Sequence, residues 1–458
     1  MVKSPPGSVS QFLIACVLLL IISCDLPRGG KRDPRVVLIS VDGLRAEVFL
    51  HPEEHGLSSV NLPNFGRIRQ SGAHIKEVTT VFPSHTFPSH TSMVTGRPPS
   101  EHGIIHNRPF RPDQSFDQWY WWADSLKAPT LFHLAQSKGL VTAATPWPVS
   151  VNGPFDYLVP EIEPTSGDSL STLDLVRQYD KPPYLIEYFA FFGGLKSNEA
   201  AVQGFQRDIN LHRIFKTVFS RRLPHLTGYH ILYPDDAQHE HGRNHPEVRK
   251  SYIFADSLIG SVIDLITKLD QWPYTTLIVT GDHGHVDHHT DIRLNVLLSD
   301  SGLVTIQNGR ITGWDAVSHA AGGAAFIRLR DPSDDYIRTR IRSILMSKAW
   351  CRLLESSDLP PDLQGYDRAD FILLAEDGYN FPGDLERPFM VPHSGGGHGG
   401  DPRISSLKTT LFAMGRGIET GTVLESSHTT QTAVLIAKLL GLPLEVEVAV
   451  PELLKPED

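Results

Sequence analysis

Five short stretches of the chain carry residue types that can do chemistry. Asp42 directly follows the mostly apolar run Arg35–Val41. Thr86 opens the segment Thr86-Phe87-Pro88-Ser89-His90-Thr91-Ser92-Met93-Val94-Thr95-Gly96, where proline suits a first helical turn and glycine suits its end. A hydroxyl there meets free backbone N–H groups and the positive end of the helix dipole, which favour a phosphate and an alkoxide. The same position equally suits a plain N-cap. Asp235 and His239 stand four apart in Pro234-Asp235-Asp236-Ala237-Gln238-His239, so they can meet on one face of a helical turn and bind one metal. His241 and His245 follow just beyond. Asp282-His283 leaves the β-rich run Thr275–Thr280 between Gly281 and Gly284. His398 lies in Gly395-Gly396-Gly397-His398-Gly399-Gly400-Asp401, a loop that allows close backbone approach. Taken singly, each stretch has an ordinary explanation as a cap, a turn or a surface cluster.

The elements that must position these residues alternate along the chain. Arg35–Val41, Leu226–Tyr233 and Thr275–Thr280 show little polar alternation, as strands buried on both faces of a mostly parallel sheet do. Helices are expected over Pro129–Lys138, Glu247–Asp270 and Thr430–Leu440. The second of these carries an apolar face of Ile253, Phe254, Leu258, Ile259, Val262, Ile263 and Ile266. The pattern implies an α/β sandwich with a mostly parallel central sheet flanked by helices. In such sheets, sites form at the carboxyl ends of strands, where Asp42, Asp235 and Asp282 all fall. The stretch 303–392 separates two of the motifs and is expected to be an inserted subdomain within a catalytic domain spanning 35–450.

Composition narrows the function. A chain of 458 residues with 40% hydrophobic and 21% charged residues is ordinary globular protein with room for a large core. Its formal net charge of −10 argues against a nucleic-acid polymer as partner, although a local metal site can still attract a small phosphate. The 22 histidines make metal ligation worth testing. At the start, Lys3 precedes an apolar run from Phe12 to Ile22, of signal-peptide length, and Ile21-Ile22-Ser23-Cys24 is similar to a bacterial lipobox. Residues 1–24 are therefore expected to be a signal peptide, Cys24 a lipid anchor and 25–34 a tether. The protein would face the periplasm or cell exterior if bacterial. A plain cleavable signal, giving a secreted protein, or an uncleaved short anchor is the alternative. Of three cysteines, Cys351 alone lies in the folded part, so no intramolecular disulfide is expected.

In this order, the five stretches resemble the nucleotide pyrophosphatase/phosphodiesterase family, a branch of the alkaline phosphatase superfamily. The resemblance runs with gaps from about Val36 to Gly417. Thr86-Phe87-Pro88 matches the family's nucleophile segment. In His102-Gly103-Ile104-Ile105-His106-Asn107, Asn107 falls on its phosphate-binding asparagine. The resemblance implies an alkaline phosphatase-like sandwich holding two Zn²⁺, one on Asp42, Thr86, Asp282 and His283, the other on Asp235, His239 and His398. It also implies a phospho-threonine intermediate and a small phosphodiester or nucleotide substrate. The chain departs from the family at His85, Ser89 and Gln238, where lysine, asparagine and glycine are usual. Related monoesterases add a Lys-x-Arg pair, but this chain has no lysine or arginine between Lys138 and Arg177 and reads Thr145-Pro146-Trp147-Pro148 there, like the diesterases. A phosphomonoesterase or phosphonate hydrolase, and a non-catalytic surface-binding lipoprotein, are the alternatives. Phe87, Tyr120, Trp121 and Trp122 suit base stacking, a lipid pocket or plain packing. His285, His288 and His289 read as a surplus polar cluster rather than ligands.

Overall fold

The computed structural model describes residues 26–58, 60–112, 118–165, 169–187, 204–355 and 369–456. The expected signal peptide and Cys24 lie outside the described residues. Residues 26–34, expected as a tether, lie against the domain: the Tyr157 hydroxyl donates to Pro27 O at 2.6 Å, and Gly29 N–H donates to Arg222 O at 2.9 Å.

Eight strands form the central sheet: β1 (Arg35–Val41), β2 (Gly72–Thr79), β3 (Thr142–Thr145), β4 (Tyr157–Leu158), β5 (Leu226–Ile231), β6 (Thr275–Gly281), β16 (Thr409–Gly415) and β17 (Val423–His428). Their spatial order is β17-β2-β16-β6-β1-β5-β3-β4. Only β16 runs against its neighbours. The strand period of two sends the residues of β1 into two cores. Val36 and Leu38 pack with helices Thr86–Thr95 and Thr430–Leu440, whereas Val37, Ile39 and Val41 pack with helices Pro63–Ser71, Phe205–Arg222 and Pro246–Lys268. Each such aliphatic side chain contributes roughly 1.5–3 kcal/mol by leaving water. The sequence therefore shows no polar alternation, because neither face of this strand meets solvent.

Helix Pro246–Lys268 starts at a proline capped by the His245 ring, which accepts from Glu247 N–H at 3.3 Å. Its buried face differs from the expected one at Ile253, which is 39% exposed; Tyr252 and Asp256 are buried in its place. The stretch 303–392 holds the hairpin of β8 (Val304–Gln307) and β9 (Arg310–Trp314). It also holds an antiparallel sheet, β10-β11-β13-β12, built from Ala316–Ala321, Ala324–Leu329, Phe371–Ala375 and Cys351–Glu355. A three-stranded sheet completes the fold, with β7 (Val286–Ile292) between β14 (Gly378–Asn380) and β15 (Met390–Gly397).

The turn after β1 is clamped from outside the strand. Gly43 has φ +69, and a Cβ there would stand 2.6 Å from Gln238 Nε2. The Tyr252 hydroxyl donates to Gly43 O at 2.9 Å and accepts from Arg45 N–H at 3.1 Å. Tyr252→Phe leaves that buried N–H without its partner, so a loss of about 1–3 kcal/mol is expected. Urea unfolding of the variant checks this, and an unchanged midpoint would contradict the clamp.

Candidate active site

Strands β5, β1 and β6 are neighbours, and the residues beyond their carboxyl ends converge. Asp42 and Asp282 each follow their strand directly, while Asp235 lies in the first turn of helix Tyr233–His241 with His239 one turn later. Thr86 is the first residue of its helix; His85 takes the cap position, without a side-chain cap bond. The Thr86 hydroxyl instead faces His283 Nε2 at 3.3 Å. His283 Nε2 also lies 3.4 Å from Asp42 Oδ1 and 3.2 Å from Asp282 Oδ2. In a second group, His239 Nε2 is 3.3 Å from Asp235 Oδ2 and 3.1 Å from His398 Nε2. The rings of His283 and His398 stack at 3.8 Å and join the two groups. Asn107 accepts from Phe87 N–H at 2.9 Å, which ties its carbonyl end to the residue beside Thr86 and leaves its amide end as a donor.

Backbone carbonyls fix the tautomers. Nδ1 of His283, His239 and His398 lies 3.1, 3.0 and 3.0 Å from Gly284 O, Gly396 O and Ser84 O respectively. Each Nδ1–H therefore donates outward and each Nε2 presents a lone pair to the site. Two facing Nε2 lone pairs at 3.1 Å repel one another unless a cation lies between them. Asp42 Oδ1 and Asp282 Oδ2 are buried without a hydrogen-bond partner. This set of carboxylate oxygens and neutral imidazoles, with no thiolate, fits divalent cations of the zinc class.

The electrostatics point the same way. Burial, reinforced by Asp282 and Asp235, pushes the Asp42 carboxyl well above the usual range, and burial pushes Asp282 up to about 6. Burial would also raise Asp235, but the imidazoles of His239 and His285 hold it well below. Burial lowers His283 to about 4 and holds His398 well below the usual histidine range, keeping both in the neutral, ligating form.

Four partners of these groups were not singled out as functional from sequence. His285 Nε2–H donates to Asp235 Oδ1 at 2.6 Å, so a residue read as surplus orients an aspartate of the site. His230, in β5, lies 3.0 Å from both Asp42 Oδ2 and Glu161 Oε2; burial opposes its charge, but these two carboxylates raise it well above the usual histidine range. His90 donates Nδ1–H to Thr86 O at 2.8 Å. A histidine inside an otherwise apolar strand was the one available signal for His230; Glu161 had none.

A model of the family described as type I phosphodiesterase / nucleotide pyrophosphatase matches residues 36–401. The chain belongs to this family. It is 22% identical to human ectonucleotide pyrophosphatase/phosphodiesterase family member 5 over 94% of this chain and 80% of that protein. It is 26% identical to human member 1, and 23% identical to the venom phosphodiesterase of Naja atra. Each match covers 56% of this chain, but only 24% and 27% of those longer proteins. The solved structure of human member 5 superposes with a TM-score of 0.64 at 19% identity, covering 90% of this chain and 96% of that one. The murine member 5, in an inactive form with AMP, gives 0.63 at 20% identity, with the same coverage. The architecture is thus the alkaline phosphatase-like one that the resemblance implied.

The departures from the family pattern all make contacts. His85 Nε2–H donates to Ala321 O at 3.0 Å, Ser89 Oγ pairs with Thr80 Oγ1 at 2.6 Å, and Gln238 donates to Gly43 O at 2.9 Å. A cleft of about 920 Å³ opens on Asp42, Thr86, Asp235 and His239, with Phe87, Trp119, Trp121 and Glu161 in its wall. Phe87 and Trp121 are buried as packed residues and still line this cleft; Trp119 joins them, stacked on Trp121 at 5.4 Å. Trp122, by contrast, is 39% exposed and outside it. Arg207 also reaches the cleft, but is paired with Asp236 at 2.7 Å and Asp208 at 3.6 Å.

Cation uptake should depend on pH with a definite sign. Below about pH 6 the metal-free Asp282 is mostly protonated, so binding must displace that proton. Zinc affinity is expected to fall on acidification from about pH 7.5 to 5, approaching tenfold per pH unit for each proton displaced. Titrations in buffers of differing ionisation enthalpy would reveal the released protons; an affinity independent of pH would refute the assignment of Asp282 as a ligand.

Proposed function

We propose that the chain hydrolyses phosphodiester or pyrophosphate bonds in nucleotides or related small diesters, with Thr86 as nucleophile. The observation that carries this reading is the Thr86 hydroxyl turned away from the capping role and toward the donor group of Asp42, Asp282 and His283. Asp42, Thr86, Asp282 and His283 would hold one Zn²⁺, and Asp235, His239 and His398 the other. When bound, the pair would lower the pKa of the hydroxyl and stabilise the departing oxygen.

The residues of the chain supply the rest. Thr86 gives its hydroxyl proton to solvent and forms a bond to phosphorus, while the bond to the leaving oxygen breaks on the opposite side. That oxygen leaves with the bonding pair and takes a proton from water. Water then cleaves the phospho-threonine, releasing the phosphoryl product and restoring the hydroxyl. Asn107 donates to a nonbridging oxygen from a position fixed by Phe87 N–H. His90, bonded to Thr86 O, holds the first turn of the helix. The AMP complex of the murine relative supports a nucleotide as substrate here, and the walls of Trp119 and Phe87 offer a base an apolar face.

Charge favours the diester. Three carboxylates against two divalent cations leave about +1, which suits one negative phosphodiester. A monoester would call for a further cationic group, and Arg207 is already paired with two aspartates. The ecto-enzymes and venom enzyme among the relatives support an exported protein, tethered to the membrane through a lipidated Cys24 if bacterial and otherwise secreted. No helix among the described residues is long and apolar enough to cross a membrane.

The test compares bis-p-nitrophenyl phosphate with p-nitrophenyl phosphate, using zinc-loaded protein. Diester turnover should dominate, and Thr86→Ala should lower its kcat by roughly 10³-fold or more at unchanged zinc content. Asn107→Ala should cost about 10²–10³-fold in kcat, as loss of an oxyanion donor does. Preference for the monoester would assign the chain to the phosphatase branch. A Thr86→Ala variant retaining full activity would remove the nucleophile.

A further inference from the structure

Beyond the active site, β7 and β15 hold another cluster of donor atoms. His288 and Asp291 lie on β7, and His393 lies on β15. His393 Nδ1 is 3.0 Å from Asp291 Oδ2 and 3.3 Å from His288 Nε2, and His288 Nε2 is 3.7 Å from Asp291 Oδ1. Zinc bonds of about 2.0–2.2 Å place tetrahedral donors roughly 3.3 Å apart, so one cation can reach all three residues. His288 and Asp291 are buried, whereas His393 is 59% exposed, leaving the outer side open for a water ligand. Asn380 donates to Asp291 Oδ1 at 2.8 Å, which orients the carboxylate and leaves Oδ2 for the cluster. His288 Nδ1 has no partner, so all the polar bonding of that ring is directed at the cluster.

The backbone is shaped to make this meeting. In a regular strand, residues three apart point to opposite faces. Against β14, however, β7 carries one extra residue, since Gly378 and Tyr379 pair with His288 and Thr290. Against β7, β15 is irregular in turn: Pro392 pairs with Thr290 and Gly395 with His288, so His393-Ser394 oppose the single residue His289. Such bulges re-aim side chains, and these two bring His288, Asp291 and His393 to one point.

We propose that His288, Asp291 and His393 form a third divalent-cation site, of the zinc class, pinning β15 to β7. Two imidazoles and one carboxylate are a three-ligand zinc set with an open fourth position. The site stands on the strands that connect to the catalytic groups: His288 lies five residues after His283, and His393 five before His398. It does not rest on the hydrolytic function proposed above.

The test counts zinc on the full chain, equilibrated at buffered free zinc and measured by elemental mass spectrometry. His393→Ala removes an exposed ligand without opening a core cavity, and Asp291→Asn keeps the shape of the side chain. Each should bind one zinc fewer than the parent, and should lose part of the zinc-dependent rise in Tm. The same loss of one should appear in an Asp235→Asn background, where the catalytic pair is impaired, which separates this site from that one. Equal zinc content in the parent and His393→Ala, in either background, would overturn the proposal and leave a hydrogen-bonded triad.

Discussion

Three carboxylates gathered beyond the ends of adjacent strands, Asp42 and Asp282 buried and Asp235 partly so, set the terms for the rest of this molecule. Val41 is level with Gly281 in β6 and with Ile231 in β5, so Asp42 and Asp282 leave the sheet side by side. Neighbouring strands lie only about 4.8 Å apart. At that separation and depth, like charges cannot all remain ionised without nearby positive charge, and the Asp42 and Asp282 carboxyls accordingly rise. The imidazoles around them, His230 between Asp42 and Glu161, and the cations that the donor set fits are all answers to this one problem.

Those answers come from distant parts of the chain, and each is locked from behind. Three backbone carbonyls select the tautomers of His239, His283 and His398, so the lone pairs face inward before any cation arrives. The glycine-rich loop around His398 is needed for contact rather than for flexibility. A Cβ on Gly396 would collide with Gln238 O, and one on Gly399, at φ +84, with Ala321 O. The antiparallel sheet of the 303–392 stretch contributes as well. Ala320 O and Ala321 O accept from His106 and His85, the residues next to Asn107 and Thr86. The segment that carries Thr86 is thus held between the helix that it begins and a sheet formed more than two hundred residues later.

Much of this was legible in the order of residues. The strand ends bearing Asp42 and Asp282, the helical turn joining Asp235 to His239 and the helix opened by Thr86 all follow from local pattern. Local pattern failed where a residue's role depends on what lies across a gap. Ile253 continued an apolar helical face but ended at the surface, because Tyr252 is drawn inward by the turn at Gly43. His285 looked redundant beside His283, yet it reaches Asp235 on another element. The stretch after Cys24 looked like a linker, yet its backbone bonds Tyr157 and Arg222.

The sequence by itself determined which residues could be ligands or nucleophile, and that they would gather at strand ends, because spacing and hydrophobic period are properties of a single segment. Only the tertiary structure set the distances between the donor atoms within each group. It also decided that Thr86 faces His283 instead of capping its helix, and that paired bulges turn His288, Asp291 and His393 toward one another. Those outcomes depend on strand order, register and the carbonyls behind each ring. They are distances between atoms far apart in the chain, and no local pattern of residues specifies them.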